Sequence, residues 1–379
     1  MSTKRSKKKV RSFPDLLATV TARLRPPFGV VLGSPGDAAD VIRSLPDGET
    51  TCYQMDTYQA ARLRELIGDR AVTTVETHAD LWDCVPPSPS GRGDGGEGFQ
   101  TLIYPVPYGG ERALKLDMIE QAYHVLKPHG TFILLSPYDR DDFFAPALKK
   151  VFGKVHVPMD GDNKVFWCQH DGERPRRRHE MTYHVRVDEQ TSYSFVSRPG
   201  VFGYGFFDQG GRALTEVMEL SPGQRVLDLG CGVGTNGILA ARQIGEAGFV
   251  AFADSNMRAV ALAELNAKAL GVANLHAIAT HTLTDWPDAS FDVILANPPY
   301  YAQGAIVHYF VERAKALLRP KGVLYLVTKQ VDAVYPVITE HFAEPEMFEN
   351  RGYVIFRAGN DSASSARPAS SEHEAERQE

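Results

Sequence analysis

Short apolar runs alternate along the chain with longer amphipathic ones, and the whole series occurs twice. In the second half, strand-like "QRVLDLGCGVG" is followed by a helix-like run from Thr235 to Ile244. Strand-like "FVAFAD", helical "MRAVALAELNAKALG", strand "FDVILANPPY", helical "VHYFVERAKALLRPKG" and strand "VLYLVTK" come next. The first half offers "FGVVLGSPGD", "TCYQMD", "TYQAARLRELIG", "THADLWD", "TLIYPVPYGG", helical "LDMIEQAYHVLKPHG" and strand "TFILLS" in matching order. Asp56 falls where Asp254 does, "YPVPY" where "NPPYY" does, and "LKPHG" where "LRPKG" does. Strands and helices alternating in this way imply parallel sheets with helices on both faces. The pattern therefore predicts a tandem duplication of one α/β domain.

Four polar stretches set the expected boundaries. The basic tip 1–11 and the tail 359–379 read as disordered, and "PPSPSGRGDGGEG" from Pro86 to Gly98 as a flexible loop. The arginine-rich segment 171–186 reads as a linker, leaving domains over 12–170 and 187–358. With 379 residues, 43% hydrophobic and 23% charged, there is material for two ordinary cores. A formal charge of −6 does not announce a nucleic-acid binder, although an average can hide basic segments. No apolar run approaches a membrane span, and no apolar stretch follows the basic N-terminus as a secretory signal would require. Cys52, Cys84, Cys168 and Cys231 are scattered without metal-ligand spacing, which points to free thiols in a reducing cytosol and no structural zinc.

The candidate chemistry lies at strand ends in the second half. In "VLDLGCGVGTNG", Gly230, Gly232 and Gly234 would let the backbone approach a ligand without Cβ clashes. Asp228, just before them, would repel a pyrophosphate and welcome a cationic amino-acid group. Asp254 closes the next strand about twenty residues on, where a carboxylate can accept both ribose hydroxyls. Taken alone, Asp254 also suits a helix N-cap before "SNMRAVALAEL", and Cys231 is a small filler of the loop. The fourth strand stops at "ILANPPYYAQG", whose two prolines cannot continue a central strand. Ligands of open α/β sheets lie outside the carboxyl ends of the strands, so these features converge on one crevice.

Together the acidic–glycine loop and the N-P-P-Y turn resemble the S-adenosylmethionine-dependent methyltransferases that methylate amino groups on planar systems. The resemblance implies that Asn297 and the carbonyl of Pro298 accept hydrogen bonds from a target –NH2 while Tyr300 stacks on its plane. It implies no metal and no covalent nucleophile. The segment "VSRPGVFGYGFFDQGGRALTEVMEL" resembles, more narrowly, the RsmC-type ribosomal RNA guanine-N2 methyltransferases. There the segment covers the methyl donor, with Phe207, Asp208 and Gly210 at the matching positions. The resemblance runs from about Val187 to Ala358 and includes a degenerate N-terminal copy of the domain. The implied fold is two tandem Rossmann-like methyltransferase domains, each a seven-stranded, mostly parallel sheet, with the first copy degenerate. That copy has "LGSPGD" for the glycine loop and Tyr104 for the asparagine, so it is expected to bind neither donor nor amine. Two departures concern the target base and the donor's adenine: Tyr301 with "AQG" follows Tyr300, and His281 and Thr282 stand where adenine contacts are expected.

The implied substrate is ribosomal RNA or a ribosomal subunit, the implied location cytoplasmic, and the chain is expected to be a monomer. Arg176, Arg177 and Arg178, with Tyr300 and Tyr301, are the candidate RNA contacts, and the tip "MSTKRSKKKVR" is a further basic arm. Three other readings share the turn or the fold: glutamine methylation in a protein factor, DNA adenine methylation, and a non-catalytic RNA-binding assembly factor.

Overall fold

The computed structural model describes residues 11–70, 72–85, 98–138, 142–157, 164–299 and 304–360. The expectations for the rest of the basic tip, for most of the Pro86–Gly98 loop and for the tail beyond residue 360 fall outside the described residues, as do Tyr300 and Tyr301. The chain divides into two compact units, Met1–Phe206 with Asp254–Asn266 and Ala277–His281, and Phe207–Ala253 with Ala267–His276 and Thr282–Glu379.

In chain order the first elements are α1 (Phe13–Ala18), β1 (Phe28–Val31), α2 (Pro35–Ser44), β2 (Thr50–Gln54), α3 (Thr57–Ile67) and β3 (Thr73–Thr77). They continue with β4 (Phe99–Pro105), α4 (Arg112–Val125), β5 (Leu126–Leu135), α5 (Phe144–Phe152) and β6 (Val165–Gln169). Strand order is β3-β2-β1-β4-β5-β6, with β6 antiparallel to β5. Period-two alternation sends successive residues to opposite faces. Val30, Ile103 and Ile133 pack with α1 and α2 on one side, whereas Val31, Leu102 and Phe132 pack with α4 and α5 on the other.

A hairpin of β7 (Met181–Arg186) and β8 (Ser192–Ser197) follows. The second sheet then comprises β9 (Arg225–Leu229), β10 (Phe249–Asp254), β11 (Leu275–Ala279), β12 (Phe291–Ala296), β13 (Leu318–Thr328), β14 (Glu346–Asn350) and β15 (Tyr353–Gly359). The helices that alternate with these strands along the chain are α6 (Gln209–Val217), α7 (Thr235–Ile244), α8 (Met257–Ala269), α9 (Ala305–Leu317) and α10 (Val331–His341). Strand order is β11-β10-β9-β12-β13-β15-β14, and β15 is antiparallel to both of its neighbours. The two sheets thus share one winding, as the doubled pattern predicts.

Three expectations change. The helices predicted through "LKPHG" and "LRPKG" stop at Val125 and Leu317, and those residues instead begin β5 and β13. Pro128 and Pro320 disfavour helix at the residues before them, and His129 and Lys321 sit at φ 59° and 67°. The supposed linker 171–186 is strand from Met181 onward, because Tyr183 and Val185 alternate inward and Tyr183 stacks on Phe195. Finally, six strands form the first sheet among the described residues. Where β14 pairs with β15 in the second sheet, the described residues of the first show the bridge His156 to Trp167, with the two rings stacked 3.8 Å apart. No helix among the described residues is long and apolar enough to cross a membrane.

Candidate active site

The glycine loop is built by backbone conformations that side chains resist. Gly230, Gly232 and Gly234 have φ of 73°, 54° and 84°. The amides of Gly230 and Cys231 both donate to the carbonyl of Ala253, which folds the loop over the end of β10. Asp228 is buried, and its Oδ2 accepts from the amide of Gly237 at 2.8 Å, at the start of α7. A carboxylate here fastens the strand end to the helix N-terminus, where the helix dipole favours negative charge. Gly237, which sequence reasoning passed over, has no room for a side chain: a Cβ would lie 2.5 Å from the Phe252 ring. Its signal was a glycine inside the first turn of a helix, where the residue is otherwise unfavourable.

Asn297 follows β12 directly. In the register between β12 and β9, Ala296 pairs with Leu229, so Asn297 comes out of the sheet beside Gly230. Pro298 is buried and Asn297 half-buried. The Asn297 Nδ2 donates to Asp208 Oδ2 at 2.9 Å, and the same carboxylate oxygen caps α6 by accepting from the Gly211 amide at 3.0 Å. The two residues lie 89 apart in sequence. Gly210 is buried in the first turn of α6.

Asp254 is the last residue of β10, falls in the first unit and accepts from the Asn256 amide at 2.9 Å. The turn is held further by Asn256 Nδ2 donating to the carbonyl of Gly200 at 2.7 Å. One residue pair of the sequence expectation is divided: His281 belongs to the first unit and Thr282 to the second. His281 Nδ1 lies 3.2 Å from Thr57 Oγ1, and Thr282 Oγ1 lies 3.0 Å from Thr284 Oγ1.

In the first unit the strand ends are closed. Leu32, Tyr53, Met55, Tyr104 and Val106 all lie in one buried apolar cluster, so aromatic and aliphatic side chains fill the space a strand-end ligand would take. Burial drives the phenols of Tyr53 and Tyr104 well above their ordinary values. Sequence reasoning also missed the ion cluster in this unit. The fully buried Arg258 contacts Asp80 Oδ1 and Asp117 Oδ2, each at 2.8 Å, and Arg198 holds Asp80 through both guanidinium nitrogens. Of the linker arginines, Arg174 donates to the carbonyl of Val151, whereas Arg176, Arg177 and Arg178 are exposed. Arg176 and Arg178 lie over the Trp82 ring at 5.3 and 5.7 Å. Among the described residues, His308, Glu340 and His341 form a group that could hold a metal ion; they stand on α9 and α10.

Comparison with known proteins brings these features under one heading. A family model, the methyltransferase small domain, matches residues 192–357. The ribosomal RNA large subunit methyltransferase G of Streptomyces avermitilis is 32% identical over 278 residues, covering 69% of this chain and 71% of that protein. The chain belongs to the family of ribosomal RNA methyltransferases C and G. The small subunit methyltransferase C of Chromohalobacter salexigens is 40% identical over 147 residues, covering 37% of this chain and 43% of that protein. Another, from Stutzerimonas stutzeri, is matched over 50% of its length, so the chain spans about half of these two relatives. In fold, the chain resembles the T. thermophilus 16S rRNA N2 methyltransferase RsmC, a structure solved with AdoMet and guanosine. The TM-score is 0.70 at 21% identity, over 92% of this chain and 93% of that one.

Proposed function

We propose that this chain is an S-adenosylmethionine-dependent methyltransferase that acts on the exocyclic N2 amine of a guanine in ribosomal RNA. The observation that carries the reading is Asn297 emerging from β12 beside the positive-φ glycine loop after β9. The donor fits the residues present: three glycines leave backbone open to close approach, and Asp228 and Asp254 supply the acceptors that an amino group and a ribose diol require. Asp228, Gly230, Gly232, Gly234 and Asp254 would hold it, with His281, Thr282 and Gly210 as further contacts. When bound, the donor supplies an electrophilic methyl group on a sulfonium.

The chain's own task is to prepare the amine. Its lone pair is delocalised into the purine, so it is a poor nucleophile in the plane of the ring. Two acceptors, Asn297 Oδ1 and the Pro298 carbonyl, draw the two N–H bonds to one side and let the nitrogen pyramidalise with its lone pair aimed at the donor. Pro298 and Pro299 keep the two acceptors in a fixed mutual geometry, because their φ angles are locked. Tyr300 stacks on the base, which has to be unpaired or extruded to reach the strand end. Arg176, Arg177 and Arg178 offer exposed cations for phosphates. The domain over 187–358 is the catalytic one, and the domain over 12–170, its strand ends filled, serves as scaffold. The chain works in the cytoplasm as a monomer.

The test is incubation with labelled donor and either ribosomal subunits or naked rRNA, followed by mass spectrometry of the digested nucleosides. N2-methylguanosine is the expected product. Label recovered in a protein glutamine, or in no product at all, refutes the reading.

A further inference from the structure

The contact between Asp208 and Asn297 bears on the reaction in a way that a donor-covering role for Asp208 does not capture. A primary amide has two nearly isosteric ends, an acceptor oxygen and a donor –NH2, and only the oxygen can receive a hydrogen bond from a target amine. An asparagine free to rotate by half a turn about its terminal bond would present the wrong end much of the time. Asp208 removes that ambiguity. Its Oδ2 lies 2.9 Å from Asn297 Nδ2, and an ionised carboxylate accepts hydrogen bonds but cannot donate one. The nitrogen must therefore face Asp208, and the oxygen must lie on the other branch of the planar amide. This assignment follows from chemistry and does not depend on telling the two ends apart by position.

The carboxylate is itself held. The oxygen that receives Asn297 also receives the amide of Gly211, 3.0 Å away, as the N-cap of α6. Gly211 in turn is packed so closely that a Cβ there would lie 3.0 Å from Asn236 Oδ1. A chain of contacts thus runs from the start of α7, through the first turn of α6, to the amide at the end of β12, all within the second unit. A negative charge on the –NH2 end also polarises the amide, which strengthens the oxygen as an acceptor.

We propose that Asp208 is a positioning residue for the acceptor amide: it fixes Asn297 with its oxygen toward the target amine. The inference rests on the methyltransferase reading above. It separates Asp208 from the donor-binding set to which the segment's resemblance assigns it.

The test compares the full-length wild type with Asp208→Ser and Asp208→Asn. Serine keeps an oxygen that caps α6 about as well as aspartate does, but it is too short to hold Asn297 as well. Asparagine can place its Oδ1 where Oδ2 stands and accept from both partners. Donor affinity is measured by calorimetry with S-adenosylmethionine, and the methyl-transfer step by single-turnover reaction with rRNA at saturating donor. Asp208→Ser is expected to slow the transfer by about 10–100-fold, in the range set by misplacing one acceptor. Its donor Kd should stay within about threefold of wild type, since the donor's own contacts are untouched. Asp208→Asn should recover the rate to within about fivefold of wild type, because it restores an acceptor of the same geometry. A serine variant that transfers at the wild-type rate overturns the proposal. So does one whose slower transfer is matched by weaker donor binding, which would make Asp208 a donor contact. An asparagine variant as slow as the serine one overturns it as well. A second readout needs no turnover. In the side-chain NMR spectrum of the full chain, the Asn297 –NH2 protons should be shifted downfield and slow to exchange, and they should lose both properties in Asp208→Ser. If that signature holds while wild-type protein fails to methylate rRNA, the functional reading fails and the orientation of the amide stands. If the signature is absent, the positioning fails whatever the activity.

Discussion

Replacing Arg258 with methionine should destabilise the first unit about as much as truncating one of its large buried apolar side chains. The guanidinium is fully buried and donates to the carbonyls of Ala79 at 2.9 Å and Pro199 at 2.6 Å. It also neutralises two carboxylates. Asp80 keeps a second cation, Arg198, which grips it at 2.6 and 2.8 Å. Asp117, itself fully buried, is left among the described residues with the neutral Gln121 amide at 2.8 Å once Arg258 is gone. Methionine fills much of the same volume, so the loss is the stranded charge and not a cavity. Breaking a buried pair by removing one partner costs about 3–5 kcal/mol. At roughly 2–4 °C per kcal/mol for a body of this size, the melting temperature should fall by about 10 °C. The assay is thermal unfolding followed by circular dichroism, for wild type, Arg258→Met, Asp117→Asn and the double variant. Because the penalty is the uncompensated carboxylate, the double variant should be more stable than the sum of the singles requires, by about 1–3 kcal/mol. A loss below about 1 kcal/mol for Arg258→Met, or strict additivity in the double variant, refutes this account. Acid should reach the same cluster. Burial alone would raise the Asp80 carboxyl, but Arg198 and Arg258 outweigh it and hold it below the ordinary 3.8. A carboxyl depressed in the folded state contributes stability that is complete above 3.8 and is lost as pH falls through its lower folded value.

Three further outcomes follow from single contacts. Asn297→Ala should lower the single-turnover methylation rate by at least about 100-fold while donor affinity, measured by calorimetry, stays within about twofold. Gly237→Ala would push a methyl group to 2.5 Å from the Phe252 ring and 3.0 Å from the Asp228 Cβ. It should cost about 1–3 kcal/mol in a melting experiment and weaken donor binding, because the displaced carboxylate anchors the glycine loop. In the second unit, hydrogen bonds from Arg351 hold Glu216 at about 2, so this pair's contribution is complete above 4.5 and disappears between there and about 2. The pair is more than one-third exposed, so Glu216→Gln should lower stability by under ~1 kcal/mol near neutrality, less in high salt, and by nothing measurable below pH 2.

Much of this protein could be read from residue order alone, for reasons that are local. Periodicity of apolar positions is set within one element, so the α7 expectation of Thr235–Ile244 matches its observed bounds and the doubled winding of strands and helices was visible in advance. The glycine loop was legible for the same reason: positive φ at Gly230, Gly232 and Gly234 is a property of neighbouring backbone atoms. The helix ends before Pro128 and Pro320 were equally local and were misread only because the apolar period ran on past them. Tertiary structure decided the rest. Asp208 and Asn297 are 89 residues apart, and neither carries a mark of the other; only the packing of α6 against the second sheet brings carboxylate to amide. Arg258 looks in sequence like any charged residue near the start of an amphipathic helix, yet it is fully buried between Asp80 and Asp117, 178 residues away in the case of Asp80. A pattern can say which residues face a core. Which buried charge meets which partner depends on distances between elements, and those exist only once the chain has folded.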